Sequence, residues 1–433
     1  MLGSKAVVES LKSESVQYVA GVPGDGVVEI LDSMYDDADI KFILVRHEQA
    51  AVHISHAYSR IMRAPKCVCL TSRGAGAANT SMGLVSALHC GSPVVSISTQ
   101  VNSKTIGRFA FEEIDLAEFF RPITKWSAEV NTPERIPEFI NDAFRHAMAG
   151  SPGPVHLAIP SDYLRANIEA RIRSPAKYRA KSDSRPPQDA IHTAAEILSS
   201  SSSPIIIAGE GILWGNAYLN TIKLAELLGS PVVCAWFRKD VFPENHPLSA
   251  GMMGLGGVDL SRDTIKQADA VLIIGCELSD LSTDRYKMRF PPNSKVIQID
   301  IEPQVVGKIF DVDVPIIADA GEATHDLIEL LQNKQSITKS FHDLPNVQRF
   351  LQNKETWLGQ LNDINLNGSP IEPAIAVKEL RNFLKDDAII TIDSGNFCYW
   401  SVAYYMSRQP STYISGGGYM GYALPGAIGA KLA

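Results

Sequence analysis

A carboxylate stands directly after an apolar run that predicts a buried strand, where a side chain could contact a small ligand. Glu48 follows the run Phe42–Val45 and begins a segment with helical periodicity. One interpretation is an acidic residue placed favourably at a helix N-terminus. The other is a buried carboxylate that faces a ligand in the crevice at the carboxyl ends of parallel strands. Taken alone, Glu48 favours the first interpretation.

Glycine-rich tracts could bring the main chain close to a ligand at two other places. After the predicted strand Cys67–Leu70 the chain continues Thr-Ser-Arg-Gly-Ala-Gly (71–76), and a helix follows. Glycines between a strand and a helix let the backbone approach an anion, although tight turns explain most such glycines. The tract 415–426 contains three consecutive glycines, Gly416–Gly418. They suit a main chain that lies against a flat ligand, with a flexible loop as the alternative.

Three further groups of residues give weaker signals. Gly209-Glu210-Gly211 follows a predicted strand and Asp300 ends another, so this part of the chain is either a nucleotide site or a purely structural domain. The three histidines near Glu48 are expected to be surface or packing residues: His47, His53 and His56. The six cysteines include no CxxC pair, so we expect reduced, mostly buried thiols: Cys67, Cys69, Cys90, Cys234, Cys276 and Cys398.

The composition is that of a globular protein. Of the 433 residues, 45% are hydrophobic and 20% are charged. The formal net charge of −8 argues against a nucleic-acid or anionic-membrane partner, because either needs a basic face. No run approaches the roughly 18 apolar residues of a membrane span, and the N-terminus has no apolar signal segment. We therefore expect a cytoplasmic protein with neither partner.

Short apolar runs alternate with segments of helical periodicity. This alternation predicts an α/β fold with parallel sheets that are flanked by helices. The predicted strands are Tyr18–Val22, Phe42–Val45, Cys67–Leu70, Val94–Ser98, Val155–Ile159, Pro204–Ala208, Pro231–Ala235, Ala270–Ile274, Val296–Ile299 and Ala388–Ile392.

Polar segments divide the chain into three predicted domains. The N-terminal domain is 1–170, a linker is 171–188, the central Rossmann-like domain is 189–331, a second linker is 332–370 and the third domain is 371–433. The third domain begins with a predicted helix, Ile375–Leu384, and is too short to close a core of its own. It either packs on the other domains or is the start of a truncated one.

Six segments, in this order, resemble the thiamine-diphosphate-dependent carboligases and decarboxylases of 2-oxo acids, in particular acetolactate synthase large subunits. They are the first turn 21–26 (GVPGDG), the activating-glutamate motif 46–51 (RHEQAA), the pocket segment 107–115 (GRFAFEEID), the end of the first domain 151–160 (SPGPVHLAIP), the glycine turn 254–257 (GLGG) and the cofactor cradle 416–424 (GGGYMGYAL). The match covers nearly the whole chain. It implies an N-terminal pyrimidine-binding domain and a C-terminal diphosphate-binding domain.

The resemblance implies that thiamine diphosphate is the cofactor. Glu48 would be the catalytic residue, because the family's glutamate hydrogen-bonds the aminopyrimidine ring and so promotes loss of the thiazolium proton. The Gly418 carbonyl would accept a hydrogen bond from the amino group of that ring, and Met420 would lie beneath the bent cofactor. Since the first and third domains of such enzymes meet across a subunit interface, a homodimer or tetramer is implied, with Glu48 of one chain serving cofactor held by another.

The resemblance also assigns residues to the two ends of the site. The diphosphate would contact Ser394, Gly395 and Asn396. Asp25, Phe111 and Glu112 would line the binding site of the substrate, a small 2-oxo acid such as pyruvate. The family's Gly-Asp-Gly…Asn motif, which holds the Mg²⁺ that bridges the diphosphate, does not occur in the third domain up to Ala433. Gly24-Asp25-Gly26 lies in the wrong domain to replace it, so we expect no metal ligands within these residues.

Three departures from the acetolactate synthase pattern concern substrate and flavin. Glu112 stands where that pattern has glutamine, and Ser161 stands where it has lysine. The arginine-bearing flavin segment is replaced by residues 276–280 (CELSD), so we do not expect bound FAD. The leading hypothesis is therefore a lyase or transferase that decarboxylates a 2-oxo acid or ligates its two-carbon unit. The alternatives are a non-catalytic scaffold or regulatory subunit, and a nucleotide-binding module that uses the central domain.

Overall fold

The computed structural model describes residues 1–35, 37–179, 184–334, 340–363 and 369–433. Two six-stranded sheets, all of whose described strand pairs are parallel, are flanked by helices, so the predicted α/β fold class is confirmed. Parts of both predicted linkers, 180–183, 335–339 and 364–368, lie outside the described residues. The chain forms two compact units: 1–182 with 391–394 and 415–433, and 183–390 with 395–414.

The first unit contains a parallel sheet in the order β2-β1-β3-β4-β6-β5. Its strands are β1 (Tyr18–Gly21), β2 (Lys41–Leu44), β3 (Cys67–Thr71), β4 (Val95–Gln100), β5 (Trp126–Glu129) and β6 (Val155–Pro160). The central strands β3, β4 and β6 are buried at every position, as expected of parallel strands covered on both faces. In β4 the buried residues include Ser96, Ser98, Thr99 and Gln100.

Helices join these strands and cover the sheet. They are α1 (Gly3–Ser13), α2 (Val27–Met34), α3 (Glu48–Met62), α4 (Ala75–Ala78), α5 (Ser81–His89), α6 (Leu116–Phe120), α7 (Ile136–Met148) and α8 (Ser161–Arg165). The apolar side chains of α1, α2 and α7 pack with the strands in one core cluster, and those of α3 and α5 pack in a second. Ten consecutive residues of α3, Ala51 to Arg60, are buried, so this helix lies inside the unit.

The second unit contains a parallel sheet in the order β12-β11-β10-β7-β8-β9. Its strands are β7 (Pro204–Ala208), β8 (Val232–Cys234), β9 (Ser249–Met252), β10 (Ala270–Ile274), β11 (Lys295–Asp300) and β12 (Val314–Ile317). Its helices are α9 (Gln188–Ser200), α10 (Gly211–Trp214), α11 (Tyr218–Leu228), α12 (Asp259–Ile265), α13 (Ala320–Lys334), α14 (Pro345–Asn362) and α15 (Pro373–Phe383). Helix α14 lies within the second predicted linker.

The C-terminal residues form β13 (Ile390–Ile392), α16 (Phe397–Tyr404), β14 (Tyr413–Ser415) and α17 (Ala423–Leu432), and β13 pairs with β14. These residues are divided between the two units rather than forming a third core. All six cysteines are free and buried, as predicted. Among the described residues, no helix combines the length and the apolar character that a membrane crossing needs.

Candidate active site

The candidate site of the first unit lies where its sheet changes direction. From β1, the chain adds β2 on one side and β3 and then β4 on the other. Ligands of open α/β sheets bind at such a switch point, outside the carboxyl ends of the strands. Asp25 follows β1, Glu48 follows β2 and Arg73 follows β3, so three charged side chains come from neighbouring strand ends.

Glu48 is the first residue of α3 and is half-buried. The Asn79 side-chain amide donates a 2.9 Å hydrogen bond to Glu48 Oε2. A Cβ at Gly76 would lie 3.3 Å from Glu48 Oε1 and 2.3 Å from Ser72 Oγ, so a larger residue there would displace the Ser72 hydroxyl and press on the carboxylate. Both interpretations of Glu48 therefore contribute: it begins a helix, and its carboxylate is held in the crevice, although it is half-buried rather than buried.

The glycine tract 416–421 is anchored to the first unit by hydrogen bonds. Ser86 Oγ donates to the Gly416 carbonyl at 2.8 Å, and His89 Nδ1 lies 2.6 Å from the Tyr419 hydroxyl. Both partners come from α5, the helix that packs beside α3. These contacts favour an ordered segment over a flexible loop.

Left-handed backbone conformations explain why this tract contains so many glycines. Gly417, Gly418 and Gly421 have φ values of +69°, +87° and +79°, which side chains other than glycine rarely adopt. Gln49 Nε2 donates to the Met420 carbonyl at 3.1 Å, which connects the tract to the residue after Glu48. The Met420 side chain is 68% exposed, and Gly418 is exposed as well.

Helix α17 packs directly on α3 within the same unit. A Cβ at Gly429 would lie 2.2 Å from the Ile54 carbonyl oxygen, so the two helices touch backbone to backbone. The rings of His53 and His56 contact Tyr422, with centroids 5.2 Å and 5.0 Å away. Both histidines are packing residues, as predicted. Burial lowers the pKa of His53 to about 4.

Asp393, which we did not predict as a site residue, organises the backbone of the glycine tract. Its Oδ1 accepts hydrogen bonds from the backbone N–H groups of Ser394 at 2.8 Å and Gly421 at 2.9 Å, and its Oδ2 accepts from that of Ala423 at 3.0 Å. A carboxylate is suited to this role because it is an acceptor only. The sequence signal is an aspartate directly after β13 and before Ser-Gly-Asn.

The residues predicted to contact diphosphate lie at the start of α16. Ser394 is half-buried, and Gly395 and Asn396 are exposed, with Asn396 immediately preceding the helix. The N-terminus of a helix presents unpaired backbone N–H groups, which favour an anion.

The residues predicted to line the substrate side come together around Arg73. Asp25 Oδ2 is 2.5 Å from Arg73 Nη2, and Glu112 Oε2 is 3.7 Å from Arg73 Nε. Gly74 makes this approach possible, since a Cβ there would lie 2.6 Å from the Cβ of Glu112. We did not assign Arg73 a role from the sequence. Phe111 belongs to the same loop, and its ring is 79% exposed.

In the second unit, the glycines of the partial dinucleotide pattern have a packing explanation. Its sheet changes direction between β7 and β10, and a Cβ at Gly209 would lie 2.1 Å from the Gly275 carbonyl oxygen. A Cβ at Gly211 would lie 2.6 Å from Gly275 Cα. The loops after β7 and β10 therefore pack against each other through these glycines. Nearby, burial raises the pKa of Asp300 to about 6.

Among the described residues, one group of three side chains has the spacing of metal ligands. It consists of His325, Asp326 and Glu329 on α13. His325 and Glu329 are exposed, and His325 lies 3.3 Å from Asp326. Exposed groups of this kind are common without a metal, so the cluster does not assign a metal site.

The first unit fits thiamine diphosphate in its polar groups and in its backbone. A fixed carboxylate (Glu48), an exposed glycine with a left-handed backbone (Gly418) and an exposed thioether (Met420) are present in one unit. They are the three features that the resemblance assigns to the aminopyrimidine side of that cofactor.

Three family profiles match the chain along its length. The N-terminal TPP binding domain of thiamine pyrophosphate enzymes matches residues 1–119, the central domain matches 191–327, and the C-terminal TPP binding domain matches 393–433. Here TPP is thiamine pyrophosphate, another name for thiamine diphosphate. The matches occur in the order that the sequence motifs predict.

Similar proteins extend this match over the whole chain. A probable acetolactate synthase large subunit of Methanocaldococcus jannaschii is 34% identical over 455 aligned residues, covering 100% of this chain and 74% of the relative. Acetolactate synthase isozyme 3 large subunit of Escherichia coli is 31% identical, covering 100% and 75%. The acetolactate synthase large subunit of Corynebacterium glutamicum is also 31% identical, covering 100% and 68%. The chain therefore belongs to the thiamine-diphosphate-dependent enzymes and is similar to their acetolactate synthase large subunits.

Proposed function

We propose that the protein catalyses the decarboxylation of a small 2-oxo acid such as pyruvate, and the transfer of the resulting two-carbon unit to an acceptor carbonyl. The observation that carries the proposal is the fixed Glu48 carboxylate at the switch point, in the same unit as the glycine tract 416–421. The names of the similar proteins support a 2-oxo acid as the substrate.

The role of Glu48 is to transfer a proton to and from the cofactor ring. Bound thiamine diphosphate supplies a carbon nucleophile and an electron sink. In its protonated form Glu48 would donate to the ring nitrogen of the aminopyrimidine and would take the proton back later in the turnover, while Asn79 holds the carboxyl group in one orientation. The Gly418 carbonyl accepts from the ring's amino group, and the exposed Met420 side chain supports the cofactor from below.

The remaining site residues bind the two charged ends. Ser394, Gly395 and Asn396 would bind the diphosphate at the start of α16, together with Mg²⁺. Asp25, Phe111 and Glu112 line the side where the 2-oxo acid and the acceptor bind. We propose a cytoplasmic homodimer or tetramer. Because Glu48 and the tract 416–421 lie in one unit of a single chain, the proposal does not require Glu48 to act on cofactor held by another chain.

The proposal is tested by the release of carbon dioxide from pyruvate. We expect release that requires both thiamine diphosphate and Mg²⁺. Glu48→Gln keeps the size of the side chain but removes its acid–base function, so we expect turnover to fall about 10²- to 10⁴-fold. The matched control is Glu118→Gln, because Glu118 also lies in the first turn of a helix but is an exposed partner of Arg121.

Full activity of the Glu48→Gln variant would overturn the assignment of the site. Pyruvate that is never decarboxylated, with cofactor and metal both bound, would overturn the choice of substrate.

A further inference from the structure

The three charged residues around Arg73 are unequally paired. The Asp25 carboxylate contacts the guanidinium at 2.5 Å, whereas Glu112 approaches only Nε, at 3.7 Å, beyond hydrogen-bond distance. Nε is buried and has no hydrogen-bond partner within the described part of the chain. Asp25 therefore takes most of the interaction with Arg73, and the charge of Glu112 is only partly compensated.

Local structure keeps Glu112 in this position. Its backbone is in the left-handed region, with φ of +63°, and it contacts Gly74 at the end of β3. The next residue, Glu113, has a different role. It accepts hydrogen bonds from the backbone N–H groups of Gly107 and Ala110, the latter at 3.1 Å, and so closes the loop on itself. Two neighbouring glutamates are thus distinguished by the structure, one facing Arg73 and one bound to its own loop.

The cluster has a formal charge of −1, from two carboxylates and one guanidinium. A second carboxylate about 12 Å from Glu112 is repelled, and at an effective dielectric constant of about 20 this lowers its affinity about tenfold. A neutral molecule has no such penalty. The exposed Phe111 ring, next to Glu112 in the chain, offers apolar surface to it.

We propose that the cluster Asp25–Arg73–Glu112 selects an uncharged, apolar carbonyl compound, such as an aldehyde, as the acceptor of the two-carbon unit. This inference rests on the proposed function and names its second substrate. The donor 2-oxo acid loses its carboxylate as carbon dioxide, and its carbonyl carbon then bonds to the carbonyl carbon of the acceptor. The acceptor oxygen takes up a proton, so one proton is consumed in each turnover. The same repulsion acts on the donor acid when it binds, but every product passes through the same donor step, so the acceptor preference is separately measurable.

The test uses the full chain with its cofactor and metal, with pyruvate as the donor and acetaldehyde and a second pyruvate as competing acceptors. Transfer to acetaldehyde gives acetoin, and transfer to pyruvate gives acetolactate. We expect acetoin to predominate in the wild type and Glu112→Gln to raise the ratio of acetolactate to acetoin about tenfold. Glu118→Gln, at an exposed glutamate outside the cluster, is the control and should leave this ratio unchanged. Because both products share the donor step, their ratio reports only on the acceptor.

A binding measurement without turnover gives a second readout. Ligand-observed NMR on the cofactor-free chain compares pyruvate with its neutral amide, pyruvamide. Glu112→Gln should shift the affinity ratio towards pyruvate, and the exposed control Glu118→Gln should not. If Glu112→Gln changed neither the ratio of acetolactate to acetoin nor the ratio of the affinities for pyruvate and pyruvamide, the acceptor inference would be overturned. The proposed function would stand. Formation of neither product by the wild type would contradict the proposed function and this inference with it.

Discussion

At the scale of single residues, the side chains of the site are held in position by hydrogen bonds and ion pairs to residues from other elements. Glu48 was predictable as a site residue because it follows an apolar run and lies within the motif RHEQAA. Asn79 and Asp393 were not, because their roles depend on hydrogen bonds to residues far along the chain. Arg73 was visible in the sequence, but its pairing with Asp25 and Glu112 appears only once two loops are folded together.

The hydrogen bond from Asn79 to Glu48 predicts a positioning effect. Asn79→Ala removes the donor at 2.9 Å and lets the carboxylate rotate. We expect kcat to fall about tenfold, since a hydrogen bond to a charged group contributes about 1.5 kcal/mol or more, while the dissociation constant of the cofactor changes little. Steady-state kinetics and cofactor titration measure the two quantities. Asn353→Ala, an exposed position on α14, is the control. Equal losses in both variants would contradict the positioning role.

At the scale of elements, the best-predicted strands are those with continuous apolar runs. The bounds of Pro204–Ala208 and Ala270–Ile274 are as predicted, and the other predicted strands overlap observed ones. Four strands were missed because their residues carry little strand signal: β5 is half-buried and mixed (WSAE), β9 has small residues (SAGM), β12 contains a proline (VPII) and β14 has three residues. Pairing with neighbours, not local preference, makes these segments strands.

Alanine is expected to have opposite effects at two helical glycines, one in the contact between α17 and α3 and one in the open on α14. Gly429→Ala places a Cβ 2.2 Å from the Ile54 carbonyl oxygen, so we expect it to destabilise the first unit by about 1–3 kcal/mol. Gly359→Ala, in α14, meets no atom within 4 Å and should stabilise its helix by up to about 1 kcal/mol. Denaturant unfolding measures the free energies, and hydrogen exchange in α3 and α17 locates the change. The backbone contact would be refuted if Gly429→Ala did not speed hydrogen exchange in α3 and α17. It would also be refuted if Gly359→Ala sped exchange in these two helices as much.

At the scale of the whole molecule, buried neutral histidines make stability depend on pH. His156 is fully buried in β6, stacks on Phe120 at 4.0 Å and lies 2.6 Å from Ser98 Oγ. Burial lowers its pKa to about 3, against an ordinary value of about 6.5. Between these values the unfolded chain binds a proton that the folded chain does not. The stabilisation is therefore complete above pH 6.5 and is lost as the pH falls.

His156→Gln removes this dependence. The free energy of unfolding of the wild type should fall relative to the variant by about 1.4 kcal/mol for each pH unit below about 6.5. Denaturant unfolding at about pH 7 and pH 4.5 measures the free energies of unfolding of both proteins. We expect the advantage of the wild type over the variant to be smaller at pH 4.5 by roughly 2–3 kcal/mol. A difference that stays constant over this range would mean that folding does not change the pKa of His156.

The central claim is that the Glu48 carboxylate activates bound thiamine diphosphate. It is tested most directly by the rate at which the thiazolium proton of the bound cofactor exchanges with deuterium, measured by NMR after rapid mixing and acid quench, without substrate. We expect exchange to be at least about 100-fold slower in Glu48→Gln than in the wild type, with the cofactor still bound in both. Equal exchange rates in the two proteins would contradict the role of Glu48 and the assignment of the site.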